Sequence, residues 1–187
     1  MIVVGSGAAG AASAFHLASR GHRVLILEAQ AMPRRKPCGG GMAASVQRWF
    51  PFDLTPAVDQ VIEQVRFTWC LEDPVVAELP GSANFWIVRR SHFDAFLADQ
   101  AVAAGARLLQ PCVIDSIEPG GQGWEVRDRD GRLHTARAVV IADGSGSRFA
   151  APLGLGPPRP RFASTLSVEC EATVAEPDQA QIGRAHV

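Results

Sequence analysis

The 187-residue sequence predicts an α/β protein whose parallel sheet is interrupted by an antiparallel excursion. Three observations carry that expectation. An apolar run, "MIVV", leads through a glycine-rich loop and a helical pattern to a second apolar run, "HRVLILE", within the first 28 residues. "VRFTWCL" then alternates apolar and polar residues, as a half-exposed strand does. Later, "CVIDSIE", "WEVRD" and "LHTARAVVIA" stand between Gly-rich and Asp-Gly turns, the pattern of a meander.

Taken in order, residues 1–4 are a short buried strand, and "GSGAAG" opens a helix over "AASAFHLASRG". In that helix Ala11, Ala14, Phe15 and Ala18 form the apolar stripe and Gly21 ends the turn. The second strand closes on Glu28, and a parallel pair joined through a helix crosses over right-handed. Residues 51–88 hold the excursion, with "VRFTWCL", "VVAEL" and "FWIV" as strands and "PGSAN" between the last two. In "VRFTWCL" the expected inner face is Val65, Phe67, Trp69 and Leu71. Ser91 with Asp94 resembles a capping box, Phe93, Phe96, Leu97 and Ala101 make the stripe of a second long helix, and Gly105 stops it. "ARLLQ" returns to the parallel sheet, the meander follows, and "RFASTLSVECEATV" starts one further strand.

Composition excludes several classes. A net charge of −1 gives no attraction to nucleic acid, and none is expected as a partner. Apolar residues make up 47% of the chain, an ordinary core-forming share, yet no run approaches the roughly 18 residues of a membrane span. Cysteines 38, 70, 112 and 170 are scattered in no metal-ligand spacing, so no metal is expected and the thiols read as reduced, in a cytoplasmic protein. The closing "QIGRAHV" resembles one translated frame of a sequencing adapter. The expectation is that residues 181–187 are a non-native tail and that the gene is cut near Ala180.

"GSGAAG", Gly5 to Gly10, lies between strand and helix, with an acid 18 residues beyond Gly10. That context is the dinucleotide fingerprint. Gly5 permits the sharp turn, Gly7 lets the backbone approach a pyrophosphate, and Gly10 lets helix and strand pack closely. The pyrophosphate would rest on the unsatisfied N–H groups and positive end of the helix. Glu28 can accept both hydrogen bonds of an adenosine ribose and would repel a 2′-phosphate, which favours NAD or FAD over NADP. A glycine-rich turn followed by a chance acid is the plainer alternative.

Nothing in a nicotinamide dehydrogenase requires the next segment, "PRRKPCGGGM". With "RRSHFDAFLADQAVAAGARL" and "VVIADGSGSRFAAPLGL", it resembles the geranylgeranyl reductases, within the flavoprotein group that includes the aromatic hydroxylases. The resemblance runs from Ile2 to about Val174. It implies a Rossmann-like, three-layer FAD-binding fold with a β-meander, plus the start of an antiparallel β substrate domain. The implied divisions are 1–50 and 89–156 for the FAD-binding domain, 51–88 for the excursion, and 157–180 for the start of the substrate domain.

The resemblance also implies site residues. Gly39 and Gly41 would let backbone N–H groups approach the flavin, and Arg35 would neutralise charge near it. Cys38 would face flavin or substrate, against the alternative of a small thiol filling a gap. Arg90 would contact the cofactor, or be an ordinary solvated arginine before a helix. Asp143 would bridge cofactor and substrate side, or be a turn residue. Ala9 and Val113 would touch the cofactor mainly through backbone atoms. No catalytic acid is identifiable.

The chemistry implied is hydride delivery from reduced flavin to a double bond of a prenyl chain. Electrons would come from NAD(P)H or a ferredoxin-like donor, and a lipid-borne substrate would bring contact with the inner membrane surface. The alternatives are a flavin monooxygenase or halogenase of the same fold, and a non-catalytic nucleotide-binding fragment. The family's Tyr-x-Trp-x-Phe-Pro and late Gly-Asp motifs are absent, and the chain has no tyrosine, so weak FAD retention is expected of these 187 residues.

Overall fold

The computed structural model describes residues 1–79, 84–157, 168 and 179–184. The strand expected over 161–174 lies, but for Val168, outside the described residues, as does most of "PGSAN". In chain order the first elements are β1 (Ile2–Val4), α1 (Ala8–Ala18), β2 (Leu25–Leu27), β3 (Gly41–Ala43), β4 (Gln60–Ile62), β5 (Gln64–Trp69), β6 (Glu72–Glu78) and β7 (Phe85–Ile87). Then come α2 (Arg90–Ala103), β8 (Arg107–Leu109), β9 (Ile114–Gly120), β10 (Gly123–Asp128), β11 (Leu133–Ala136), β12 (Val139–Ile141) and β13 (Gln179–Arg184). Short 3-10 turns at Ala44–Trp49 and Thr55–Ala57 lie between β3 and β4. The chain divides into two compact units, Met1–Arg35 with Phe93–Ser164, and Lys36–His92 with Thr165–Val187.

The first unit is built on a four-stranded parallel sheet in the order β12-β1-β2-β8. Val3 and Ile26 are fully buried because both faces of such a sheet are covered, which is why these strands read as continuous apolar runs. On α1, the expected Ala11, Ala14, Phe15 and Ala18 are all buried, each small residue letting the helix lie close on the strands. Phe93, Leu97 and Ala101 are the inner face of α2, joined by Ala98, while Phe96 is only half-buried. Gly21 and Gly105 stand at φ +81° and +102°, the left-handed conformation that ends a helix.

The meander, β11-β10-β9, is antiparallel, and its inner residues Ile114, Ile117 and Val126 share one core with Ile2, Val4 and Leu27 of the parallel sheet. Burying each such side chain contributes about 1.5–3 kcal/mol. One strand expectation is corrected here. "LHTARAVVIA" is two strands in two sheets: β11 pairs with β10, and β12 pairs in parallel with β1. The break follows the change of pattern, from the alternation of "LHTA" to the continuous apolar "VVI" that a covered parallel position requires.

In the second unit, β3-β7-β4 form one antiparallel sheet, and β5 pairs with β6 and, in parallel, with β13. The strand β3 takes up the end of the glycine segment, Gly41 to Ala43. The inner face expected of β5 is also corrected. Val65 is buried, but Phe67 and Trp69 are more than 40% exposed and Thr68 is inside. The β5–β6 register shifts between Phe67 and Trp69, which rotates the pleat and breaks the simple alternation. Cys70 and Leu71 make the hairpin turn at φ +49° and +66° without a glycine, a strained conformation for both.

Candidate cofactor site

The site of the first unit lies where the order of strands reverses. From β1 the chain passes through α1 to β2 on one side, while β12 arrives on the other, so the carboxyl ends of β1 and β12 border a switch point. Backbone bonds hold the floor: Gly5 N–H donates to Leu27 O (2.8 Å), Ala142 N–H to Val4 O (2.9 Å), and Glu28 N–H to Leu109 O (3.0 Å).

Space explains two of the fingerprint glycines. Gly5 has φ +92°, and a Cβ there would lie 2.5 Å from Ala142 O. A Cβ on Gly10 would lie 1.9 Å from Gly5 O. Gly7 is the N-cap of α1; it offers no side-chain cap, and no acid stands in the first turn. The first N–H groups of the helix and its positive end therefore face neither a side-chain cap from Gly7 nor an acid of the first turn. Ala9 sits exposed on this turn, and Ser6 is fully buried with its hydroxyl oxygen unpartnered.

Glu28 is only 4% exposed. Its Oε2 accepts from Ser6 N–H (2.7 Å), tying the end of β2 to the glycine loop, and its Oε1 accepts from Gln30 N–H (3.0 Å). Arg34 Nε approaches the same Oε1 at 3.3 Å, and Arg34 Nη1 lies 3.5 Å from Asp94 Oδ2. One guanidinium thus bridges two buried carboxylates, the arrangement that makes burying them tolerable. Of about four lone-pair positions on a carboxylate, one on Oε2 and two on Oε1 are engaged, so Oε2 is the oxygen with capacity left for a ligand.

Sequence reading singled out Arg35; the structure leaves Arg35 exposed and puts the neighbouring Arg34 on Glu28. Arg34, Asp94 and Ser6 are the residues it missed. Nothing in "PRR" distinguishes one arginine from the next, because the choice depends on how the loop turns after β2. Val113, half-buried, gives its carbonyl to Arg129 N–H (2.9 Å). Asp143 is exposed at the end of β12, beside the Ala142 carbonyl that Gly5 touches. Gly5, Gly7, Ala9, Gly10, Glu28, Arg35, Val113 and Asp143 all belong to this unit.

Cys38, Gly39, Gly41 and Arg90 belong to the other unit. There the three consecutive glycines have separate reasons. Gly40 has φ +75°, its carbonyl accepts from Val88 N–H (3.0 Å), and a Cβ would lie 2.1 Å from Val88 O. A Cβ on Gly41 would lie 2.5 Å from the Phe85 ring. Both are therefore required by packing against β7 and its end. Gly39 alone has open space around its missing Cβ. Cys38 is half-buried, and its Sγ accepts from Gly40 N–H (3.4 Å), an interaction that also steadies the loop. Arg90, half-buried, is the first residue of α2, and its neighbour Arg89 pairs with Asp59 (2.7 Å).

A further cluster in the meander escaped sequence reading altogether. Cys112, Asp128 and His134 come together from the segment just before β9, the end of β10 and β11. His134 Nε2 lies 3.2 Å from Asp128 Oδ2, and Cys112 Sγ donates to the same oxygen at 3.7 Å. Burial, and then the Asp128 charge, push the Cys112 thiol up. Burial works to raise Asp128, yet the hydrogen bonds from Arg132 N–H and His134 hold its carboxyl below the usual range. Their spacing in sequence, 16 and 6 residues, matches no ligand motif and becomes meaningful only when two strands and the segment before β9 come together.

A family model described as FAD dependent oxidoreductase matches residues 1–50 and 81–184. Protein FixC of Escherichia coli (strain K12) is 32% identical over 165 residues, covering 82% of this chain and 38% of its own. The chain thus spans little more than a third of that curated relative. Among solved structures, a geranylgeranyl bacteriochlorophyll reductase-like protein from Thermoplasma acidophilum superposes with a TM-score of 0.77 at 20% identity, over 98% of this chain and 49% of that one. The halogenase PltM, in complex with phloroglucinol and FAD, gives 0.67 at 23% identity, over 82% of this chain and 36% of that one.

Proposed function

From the premise that the chain belongs to the FAD dependent oxidoreductase family, we propose that it is part of an enzyme that reduces double bonds of a prenyl chain. The residues fit the adenosine and pyrophosphate half of FAD. The uncapped N-terminus of α1 has no competing acid, the cradle at Gly5 and Gly10 admits no Cβ, and Glu28 retains acceptor capacity on Oε2. Bound there, FAD supplies hydride chemistry from its reduced ring.

What the chain's own residues do is bind and orient. The N–H groups opening α1 would hold the pyrophosphate, and Glu28, its rotamer fixed by Arg34 and Ser6 N–H, would accept from an adenosine ribose hydroxyl. Val113 would touch the cofactor mainly through backbone atoms, and Asp143 stands at the end of β12, beside the switch point. Arg35 and Arg90 lend positive charge toward the cofactor. Cys38 and Gly39 would serve the flavin end, as the resemblance to the geranylgeranyl reductases implies, and Gly41 supports that loop through β3. A prenyl chain would reach the enzyme from lipid, with NAD(P)H or a ferredoxin-like donor as reductant.

What favours the reductase reading over its rivals is the Cys38–Gly41 segment, a cysteine followed by three glycines that resembles the geranylgeranyl reductases and is less expected of a monooxygenase or halogenase. The test is anaerobic turnover of the whole protein, FAD-loaded and dithionite-reduced, with a prenyl alcohol or diphosphate. Flavin reoxidation together with a product heavier by one dihydrogen per double bond is expected. Oxygen-dependent hydroxylation or halogenation of an aromatic compound, with no prenyl reduction, would replace this reading by the monooxygenase or halogenase one.

A further inference from the structure

We propose that Cys112, Asp128 and His134 form a binding site for one divalent ion of the zinc class, held by the meander and the segment that leads into it. The first support is convergence. The sulfur, imidazole nitrogen and carboxylate oxygen lie within 4.8 Å of one another, and sulfur and nitrogen both point at one oxygen, Asp128 Oδ2. Around a tetrahedral zinc ion the N···O and S···O edges would be about 3.4 and 3.6 Å, from bonds near 2.0–2.3 Å. The observed distances are 3.2 and 3.7 Å. Only the sulfur–nitrogen edge has to close.

The second support is donor chemistry and charge. Thiolate, imidazole and carboxylate together suit zinc or cobalt and suit calcium or magnesium poorly. Binding releases the thiol proton to solvent, so one thiolate, one carboxylate and a dication sum to zero. A neutral assembly is what a buried position favours: Cys112 is 6% and Asp128 3% exposed.

The third is preorganisation. Asp128 is aimed by Arg132 N–H, which donates to Oδ1 at 2.9 Å and leaves Oδ2 for the ion. Alternation along β10 puts Asp128 on the buried face with Val126. Cys112 is fixed by its own N–H, which donates to Glu28 O at 2.7 Å. His134 is the adjustable ligand, half-buried on the edge strand β11, so it supplies both the entry path and the rotation that closes the third edge. Three protein ligands leave the fourth position to a water.

The experiment uses the whole FAD-loaded protein, treated with a chelator and titrated with Co²⁺. Intense ligand-field bands beyond the flavin absorption, the mark of four-coordinate cobalt with a thiolate, should saturate at about one equivalent and be displaced by Zn²⁺. They should vanish in Cys112→Ser and in His134→Gln and persist in Cys70→Ser, which removes the exposed hairpin thiol. Absence of the bands, their survival in either ligand variant, or their loss in Cys70→Ser overturns the proposal. Should Cys112→Ser fail to fold, His134→Gln decides alone, its flavin absorbance reporting an intact fold.

Discussion

Replacing Gly10 by alanine sets two effects of opposite sign against each other. Gly10 lies inside α1 with no positive φ, so helix propensity alone favours the substitution by about 1 kcal/mol. Space opposes it. The new Cβ would meet Gly5 O at 1.9 Å, Gly5 C at 2.9 Å and the Ala142 side chain at 3.3 Å. Backbone cannot swing aside as a flexible side chain can, so α1 must move off the glycine loop by more than an ångström. Overpacking of this kind costs about 1–3 kcal/mol, and contact with a carbonyl puts it at the upper end. The net expectation is a loss of about 2 kcal/mol, or a melting temperature lower by about 4–8 °C for a domain of this size. Displaced N–H groups should weaken FAD binding as well. Differential scanning calorimetry and flavin titration of the whole protein measure both. A melting temperature raised by about 2–4 °C, the signature of propensity acting unopposed, would refute the assignment of Gly10 as a close-packing residue.

Glu28→Gln keeps one acceptor oxygen but removes the charge facing Arg34 and turns an amide N–H₂ toward donors; calorimetry should show a loss of about 2–3 kcal/mol, with flavin released on gel filtration. Gly39→Ala meets no neighbour within 4 Å and should leave the melting temperature within about 1 °C, yet weaken FAD binding; unchanged affinity would remove Gly39 from the flavin site. Asp53 accepts from Thr55 Oγ1 and then from Thr55 N–H, which together hold its carboxyl below the usual range. A folded pKa below the unfolded one means this local contribution is present above the unfolded value and fades as pH falls through the folded one. An NMR titration should show Asp53 moving up toward ordinary carboxylates in Thr55→Val.

The opening βαβ unit was legible because local rules suffice there. A covered parallel strand must be apolar throughout, and a helix packed on it must carry small residues at helical spacing. The glycine that starts α1 and the acid that ends β2 stand at separations set by the lengths of those elements. The meander was legible as turns and alternation, but its last strand was not. Whether "LHTARAVVIA" continues or breaks depends on the empty edge of β1, more than 130 residues away in sequence.

By itself, then, the sequence determined that a glycine loop would open the first crossover, and that Glu28 would end the strand after it. Tertiary structure decided which of two adjacent arginines neutralises that acid, because only the fold brings Asp94 within reach of Arg34. It decided that Gly40 and Gly41 answer to Val88 and Phe85, leaving Gly39 as the open position. It also made a cluster of Cys112, Asp128 and His134 out of residues that no motif connects. Periodicity along a chain reports which face a residue turns to the core. Which distant side chain it meets there is fixed by the register of strands, which no local pattern records.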